Sequence, residues 1–203
     1  MMRPVLAVWL VIVLLGGTLG CSTPALTPPP EAAPIPMEPS PPVTSDSARL
    51  GDSLTGHEMS PGEVAELSDR LLGVGSNALN DQQTMARLEL AILKTLKAPD
   101  KTHRAVLWRN LGIIHYHQQK FKQAENELQS ANELNPKNAR THFYLACLFA
   151  HKGNIYERSG KPQASRQQYK RAAIEIGLAR KLEPNNALYK QNPKQIIQQE
   201  NGK

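Results

Sequence analysis

The stretch WRNLGIIHYHQQ, Trp108 to Gln119, decides how this chain is read: either His115 and His117 share a metal ion, or the segment is one helix of a packed pair. Side chains two apart on a helix point roughly 200° away from each other, so they converge on one ion only in a strand. Val106, Leu107, Leu111, Ile113 and Ile114 recur at spacings of three and four, which predicts a helix, and Asp100 or Thr102 can cap its start. No metal site is therefore expected here, and His115 reads as a residue at the edge of a core. Gly112 is the remaining oddity. A glycine inside a helix costs ~1 kcal/mol relative to alanine and usually marks the close approach of another backbone.

The next segment supplies that backbone. FKQAENELQSANELNP places Phe121, Ala124, Leu128, Ala131 and Leu134 on one stripe and stops at Asn135 and Pro136, the pattern of a second amphipathic helix. Only the polar turn around Gln118 to Lys120 separates the two, so they fold back as an antiparallel hairpin, with Gly112, Ala124 and Ala131 allowing close contact.

Trp108, Leu111, Gly112, Ala124, Ala131 and Pro136 are spaced as in a tetratricopeptide repeat, a helical hairpin of ~34 residues, and the segment 105–138 resembles one. His115 stands where that family usually has Tyr, and Leu128 where it often has Phe. The resemblance implies an all-α fold, a short solenoid of helical hairpins, whose first helices line a concave surface that holds a protein or peptide client. Position by position, the groove residues it implies are Arg109, Ile113 and Tyr116, then Arg140, Phe143 and Cys147. The clamp that some members use for a terminal carboxylate needs asparagine where this chain has Ile113 and Cys147, so carboxylate capture is not expected.

Beyond Pro136 the pattern restarts with Leu145, Ala146 and Phe149, but Ala172, Ile176, Ala179 and Pro184 match a second helix only if about fourteen extra residues are allowed. Split evenly, the surplus adds about two turns to each helix and keeps both stripes facing. Residues 139–186 are thus expected to form a second repeat-like hairpin with long helices, from about Ala139 to Ser159 and from Pro162 to Leu182; a loop insertion between short helices is the alternative. Residues 187–203, a helix interrupted by Pro193, are the candidate cap over the last apolar face.

Upstream, Ser60-Pro61-Gly62-Glu63 carries a capping box. Val64, Leu67, Leu71 and Leu72, then Met85, Leu88, Leu90, Ile92, Leu93 and Leu96, give residues 60–104 the look of a degenerate helical hairpin. Before it, residues 22–42 hold nine prolines and almost no large apolar side chain, and SDSARLGDSLTGHEMS is polar. Residues 21–59 are accordingly expected to be a disordered Pro-rich tether.

The chain opens with MMRPVLAVWLVIVLLGGTLGC: one basic residue, an apolar run from Val5 to Leu15, and small residues before Cys21. The ending Thr18-Leu19-Gly20-Cys21 resembles a bacterial lipoprotein signal, with residues 1–20 removed and Cys21 lipidated. That resemblance implies an anchor in the membrane facing the periplasm, and Ser22 after the cysteine favours the outer membrane. Cys147 then has no disulfide partner and is expected to be a buried thiol.

The net charge of +6 is uneven: residues 101–203 carry eighteen Lys and Arg against seven Asp and Glu, the first hundred residues six against eleven. Arg158, Lys161, Arg166, Lys170 and Arg171 concentrate it on the extension, a surface suited to anionic lipid or cell-wall glycan. Nucleic acid is not expected for an exported chain. There is no GxSxG, HExxH or P-loop, His142 and His151 lie nine apart, and Glu125 and Glu127 point away from each other on a helix. Neither catalysis nor a cofactor is expected. The sequence reads as a lipid-anchored scaffold that binds a protein partner and supports assembly of an envelope complex, with envelope binding through the basic extension as the alternative.

Overall fold

The computed structural model describes residues 45–55, 59–73, 76–192, 194–195 and 197. They contain seven α-helices and no strand: α1 (Ser45–Thr55), α2 (Pro61–Leu71), α3 (Gln82–Leu96), α4 (Arg104–His117), α5 (Phe121–Leu134), α6 (Ala139–Arg158) and α7 (Pro162–Leu182), with 3-10 turns at Asn77–Asn80 and Ala187–Lys190. Residues 1–44, with the expected export signal, Cys21 and the proline-rich segment, lie outside the described residues.

Helices α2, α3 and α6 start where the sequence supplies a side-chain partner for the free amides of a first turn. Ser60 Oγ accepts from Glu63 N at 3.3 Å while Ser60 N donates to Glu63 Oε2 at 2.9 Å, the reciprocal box that starts α2. Asp81 caps α3 and Asn138 caps α6 through Thr141 N at 2.9 Å. At α4 the expectation fails: Asp100 accepts from Thr102 N at 2.8 Å and closes the preceding turn, and the helix begins behind His103 without a side-chain cap.

The helices pack as hairpins, α4 on α5 and α6 on α7, joined through α5 and α6, with α2 and α3 against α4. Gly112 shows why α4 and α5 approach so closely. A Cβ built there would lie 2.7 Å from Leu128 Cγ and 3.2 Å from Leu128 N, closer than packed atoms come. The surplus residues lengthen both helices of the last hairpin, which turns through Gly160 at φ +68°, a left-handed conformation suited to glycine. The added turns have their own close approach, where a Cβ on Gly153 would lie 3.0 Å from the Tyr169 ring. One apolar cluster runs the length of the unit, from Leu50 through Leu88, Leu111, Leu128 and Leu148 to Ile176 and Ile197. Each fully buried Leu or Ile in it stabilises the fold by about 1.5–3 kcal/mol.

Two segments depart from expectation. Residues 45–55, read as part of a tether, form α1, because Leu50 is buried against the core and Asp46 pairs with Arg70 of α2 at 3.1 Å. One apolar anchor and two ion pairs, the second between Arg49 and Glu63 at 3.6 Å, fix a segment with no apolar stripe of its own. Near the C-terminus, residues 187–190 form a 3-10 turn rather than the start of a helix. Its Tyr189 is buried against Phe143, ring centroids 5.3 Å apart, and Arg180 donates to the carbonyls of Tyr189, Lys190 and Gln191.

Candidate functional site

The first helices of successive hairpins, α2, α4 and α6, are tied across one face by charged side chains. Asp69 of α2 accepts from Arg109 of α4 and from Arg140 Nη1 of α6 at 3.2 Å, and Arg140 also donates to the Leu72 carbonyl. Burial pulls the Arg109 guanidinium below the ordinary arginine range, and the Asp69 carboxylate opposes the shift. Beside this ladder, Asn110 Nδ2 donates to Ser68 Oγ at 2.7 Å, both fully buried. Tyr189 closes the far end, where burial raises its phenol to about 12.

This arrangement changes the groove that the sequence implied. Ile113 is 0% exposed, Cys147 1%, Tyr116 4% and Arg109 5%, so these four offer a partner no surface. The reason is what lies across from them: α2 and its Asp69 cover Arg109, and Tyr116 lies in an aromatic cluster with Tyr144, Phe121 and His151 at centroid distances of 5.6, 6.0 and 5.7 Å. Of the six implied positions only Arg140 and Phe143 reach solvent, and Asp69, which sequence reasoning missed, joins them with 42% of its side chain exposed. Cys147 is a buried thiol.

The histidines have a different role from either sequence reading. His115 is buried rather than at the core edge. Its Nδ1 lies 2.6 Å from Glu127 Oε2 of α5 and its Nε2 3.2 Å from Glu89 Oε1 of α3. Both ring nitrogens face acceptors, so the imidazolium, with two N–H donors, satisfies them. Burial alone would lower its pKa; the two carboxylates outweigh it and hold the ring above the usual histidine range. His142 repeats the device one hairpin on: Nδ1 faces Glu175 Oε2 at 2.7 Å and Nε2 the Pro136 carbonyl at 2.8 Å, and chiefly the Glu175 hydrogen bond raises its pKa against burial. Among the described residues no group of three or more His, Cys, Asp or Glu is placed to hold a metal ion.

Glu125 and Glu127, which point apart as expected, are both engaged: Glu127 with His115, Glu125 with Lys152 of α6 and with Arg171 Nη1 of α7 at 4.0 Å. Arg171 also lies over the Phe149 ring, 3.9 Å from its centroid, and is therefore a tie between helices rather than part of a free basic surface. Arg158, Lys161, Arg166 and Lys170 are exposed, and among the described residues no carboxylate lies within 4.0 Å of any of them. A cleft of about 630 Å³ opens between the start of α2 and the end of α3, lined by Met59, Pro61, Val64, Ala91, Lys94 and Lys97 among others; nothing in the periodicity pointed to it.

The hairpin built by α4 and α5, with Gly112 against Leu128, has a known counterpart. Residues 105–138 match the tetratricopeptide repeat. The all-helical hairpin architecture is that of a helical solenoid carrying this repeat. A tetratricopeptide repeat is a protein-interaction module, typically non-catalytic, and supports a general role for the chain in binding a protein or peptide. No curated protein sequence matches the chain.

Proposed function

We propose that this chain is a lipid-anchored periplasmic adaptor that binds a protein client beside its tetratricopeptide repeat and so supports assembly of an envelope complex. The match of residues 105–138 to the repeat carries the client-binding half. The export signal ending at Cys21 supports the anchor, and Ser22 supports sorting to the outer membrane. The client contacts the edge of the ladder, where the Asp69 carboxylate, the Arg140 guanidinium and partly buried Phe143 offer one acid, one base and one ring. No catalytic step is assigned to the chain.

The test is recovery of a crosslinked client from the periplasm by the native chain and by Phe143→Ala, with thermal melts establishing that the variant is folded. Loss of one specific protein with the fold retained supports the reading; unchanged recovery sinks the groove assignment. The anchor is tested separately: radiolabelled palmitate should mark the native chain and not Cys21→Ser, and equal labelling of both would end the lipoprotein assignment.

A further inference from the structure

Helix α7 presents to solvent a face that the hairpin does not require. Superposing Ala124, Leu128 and Ala131 of α5 on Ala172, Ile176 and Ala179 of α7, the buried residues that play the same part in each hairpin, sets Asn126 and Ser130 opposite Ile174 and Leu178. At these two positions the solvent face of α5 is polar and that of α7 aliphatic, while Leu182 has an exposed counterpart in Leu134 of α5. Ile174 is 63% exposed, Leu178 39% and Leu182 38%. Spaced by four, they form one line about 12 Å long, which distinguishes them from the scattered surface leucines that need no explanation.

Arg166, Lys170 and Lys181 border this line, all exposed. Among the described residues none of the three has a carboxylate within 4.0 Å, and the only acid in α7, Glu175, lies at the edge of the face, bound to His142. Lys181 lies in the last turn of α7 and complements the helix dipole, but Arg166 and Lys170 do not serve the helix itself. The first turn of α7 has no acidic residue, Lys161 stands at its N-cap, and Arg166 follows one turn on, although positive charge near a helix N-terminus is unfavourable.

We propose that this face of α7 docks on an anionic lipid bilayer, with Ile174, Leu178 and Leu182 entering the headgroup boundary and Arg166, Lys170 and Lys181 on lipid phosphates. Aliphatic side chains in a line beside unpaired cations are the composition that lies in such an interface. A convex helix surface rests on a plane but cannot enclose a peptide, which argues against an acidic protein segment. A second copy would bring the same cations together, which argues against a dimer. The docking stands apart from client binding, since none of these six residues belongs to the ladder.

The test uses the full chain with Cys21→Ser and Gln167→Cys. Gln167 is an exposed position on the same face, and Cys147 is buried, so a bimane dye marks residue 167. The chain is reconstituted into vesicles of phosphatidylcholine, with or without phosphatidylglycerol, containing brominated acyl chains that quench a dye at the interface. Neutral vesicles control for tethering by the N-terminal apolar run. Each cation near an anionic leaflet favours docking by about five-fold, so Arg166→Glu, Lys170→Glu and Lys181→Glu together should lower the docked-to-free ratio roughly a hundred-fold or more. Quenching in anionic vesicles that is weak in neutral ones, falls with salt and is lost on charge reversal is the expected result. Equal quenching in both vesicles, no quenching, or persistence after reversal or in high salt would overturn the proposal. So would protection of the dye by polyglutamate in place of vesicles, which would assign the face to an acidic protein. The salt series on the chain with native charges decides the matter even if the triple variant does not fold.

Discussion

Gly112→Ala is the sharpest probe of the packing that makes the repeat. The new methyl carbon would lie 2.7 Å from Leu128 Cγ, 3.0 Å from Leu128 Cδ2 and 3.2 Å from Leu128 N. Ordinary carbon contacts are ~3.5–4.0 Å, so either Leu128 leaves its rotamer or α5 moves outward by about 1 Å. Leu128 is 0% exposed and has nowhere to turn, and one of the crowded atoms is backbone. Overpacking of this kind costs about 1–3 kcal/mol, from which the better helix propensity of alanine subtracts up to ~1 kcal/mol. The net expectation is a loss of about 1–2 kcal/mol by urea denaturation. Leu128→Ala alone should cost ~2–5 kcal/mol through the cavity it leaves. In the double variant the methyl at position 112 enters that cavity, so the combined loss should fall short of the sum by about 0.5–3 kcal/mol. A Gly112→Ala chain as stable as the native one, or losses that simply add, would refute the close-approach account.

Two further perturbations follow from the charged ties. His115 and His142 have folded pKa values above the unfolded value of ~6.5, so the stability they contribute is fully present below ~6.5 and is lost as pH rises through their folded values. Glu89 has the opposite sense: burial would raise its pKa, but the Gln118 and His115 contacts outweigh it, so its contribution is present above the unfolded ~4.3 and lost as pH falls through the lowered value. Melting temperature should therefore peak between these ranges and decline toward alkaline pH. A His115→Gln, His142→Gln chain should show a flatter alkaline limb, and identical profiles for the two chains would remove the histidines as its cause. Asp69→Ala leaves buried Arg109 without its carboxylate and should cost about 1–3 kcal/mol in urea denaturation, the half-exposed position of Asp69 keeping the loss at the low end for a buried pair; a loss below ~0.5 kcal/mol would show that the ladder holds nothing together.

The hairpins were legible because their information is local. Gly112, Ala124, Leu128 and Ala131 specify both the face and the distance of approach, and Ala172, Ile176 and Ala179 specify the same face after the surplus turns. Helix α1 was not legible, because its order comes from Leu50 and from Asp46 reaching Arg70, twenty-four residues away. The groove was half legible for a related reason. Spacing shows which way Arg109, Ile113, Tyr116 and Cys147 point but not what stands opposite, and here α2, the aromatic cluster and the core close over them. Asp69 escaped notice because a single acid in a weak hairpin acquires meaning only when Arg109 and Arg140 converge on it.

The uneven charge of the chain takes on a physical sense once the acids are followed to their partners. Asp46 binds Arg70, Asp69 the two ladder arginines, Glu89 and Glu127 bracket His115, Glu175 holds His142, and Glu125 joins Lys152 and Arg171. Glu63, Asp81 and Asp100 are engaged at caps and turns, and Glu157 with Tyr169 and Lys194. Many of these carboxylates are thus placed between elements, where an ion pair fixes the register of neighbouring helices. The cations exceed them: Lys97, Lys101, Lys122 and Lys137 are exposed without a carboxylate within 4.0 Å among the described residues, and so are Arg158, Lys161, Arg166, Lys170 and Lys181 on the tip and outer face of the last hairpin. Arg158 and Lys181 complement the dipoles of the helices they end, but mutual repulsion along that face lowers stability slightly, and Lys161, Arg166 and Lys170 have no such return within the fold. A surface that carries such a cost beside three exposed aliphatic side chains is best understood by what it meets outside the chain, and an anionic plane relieves both features at once.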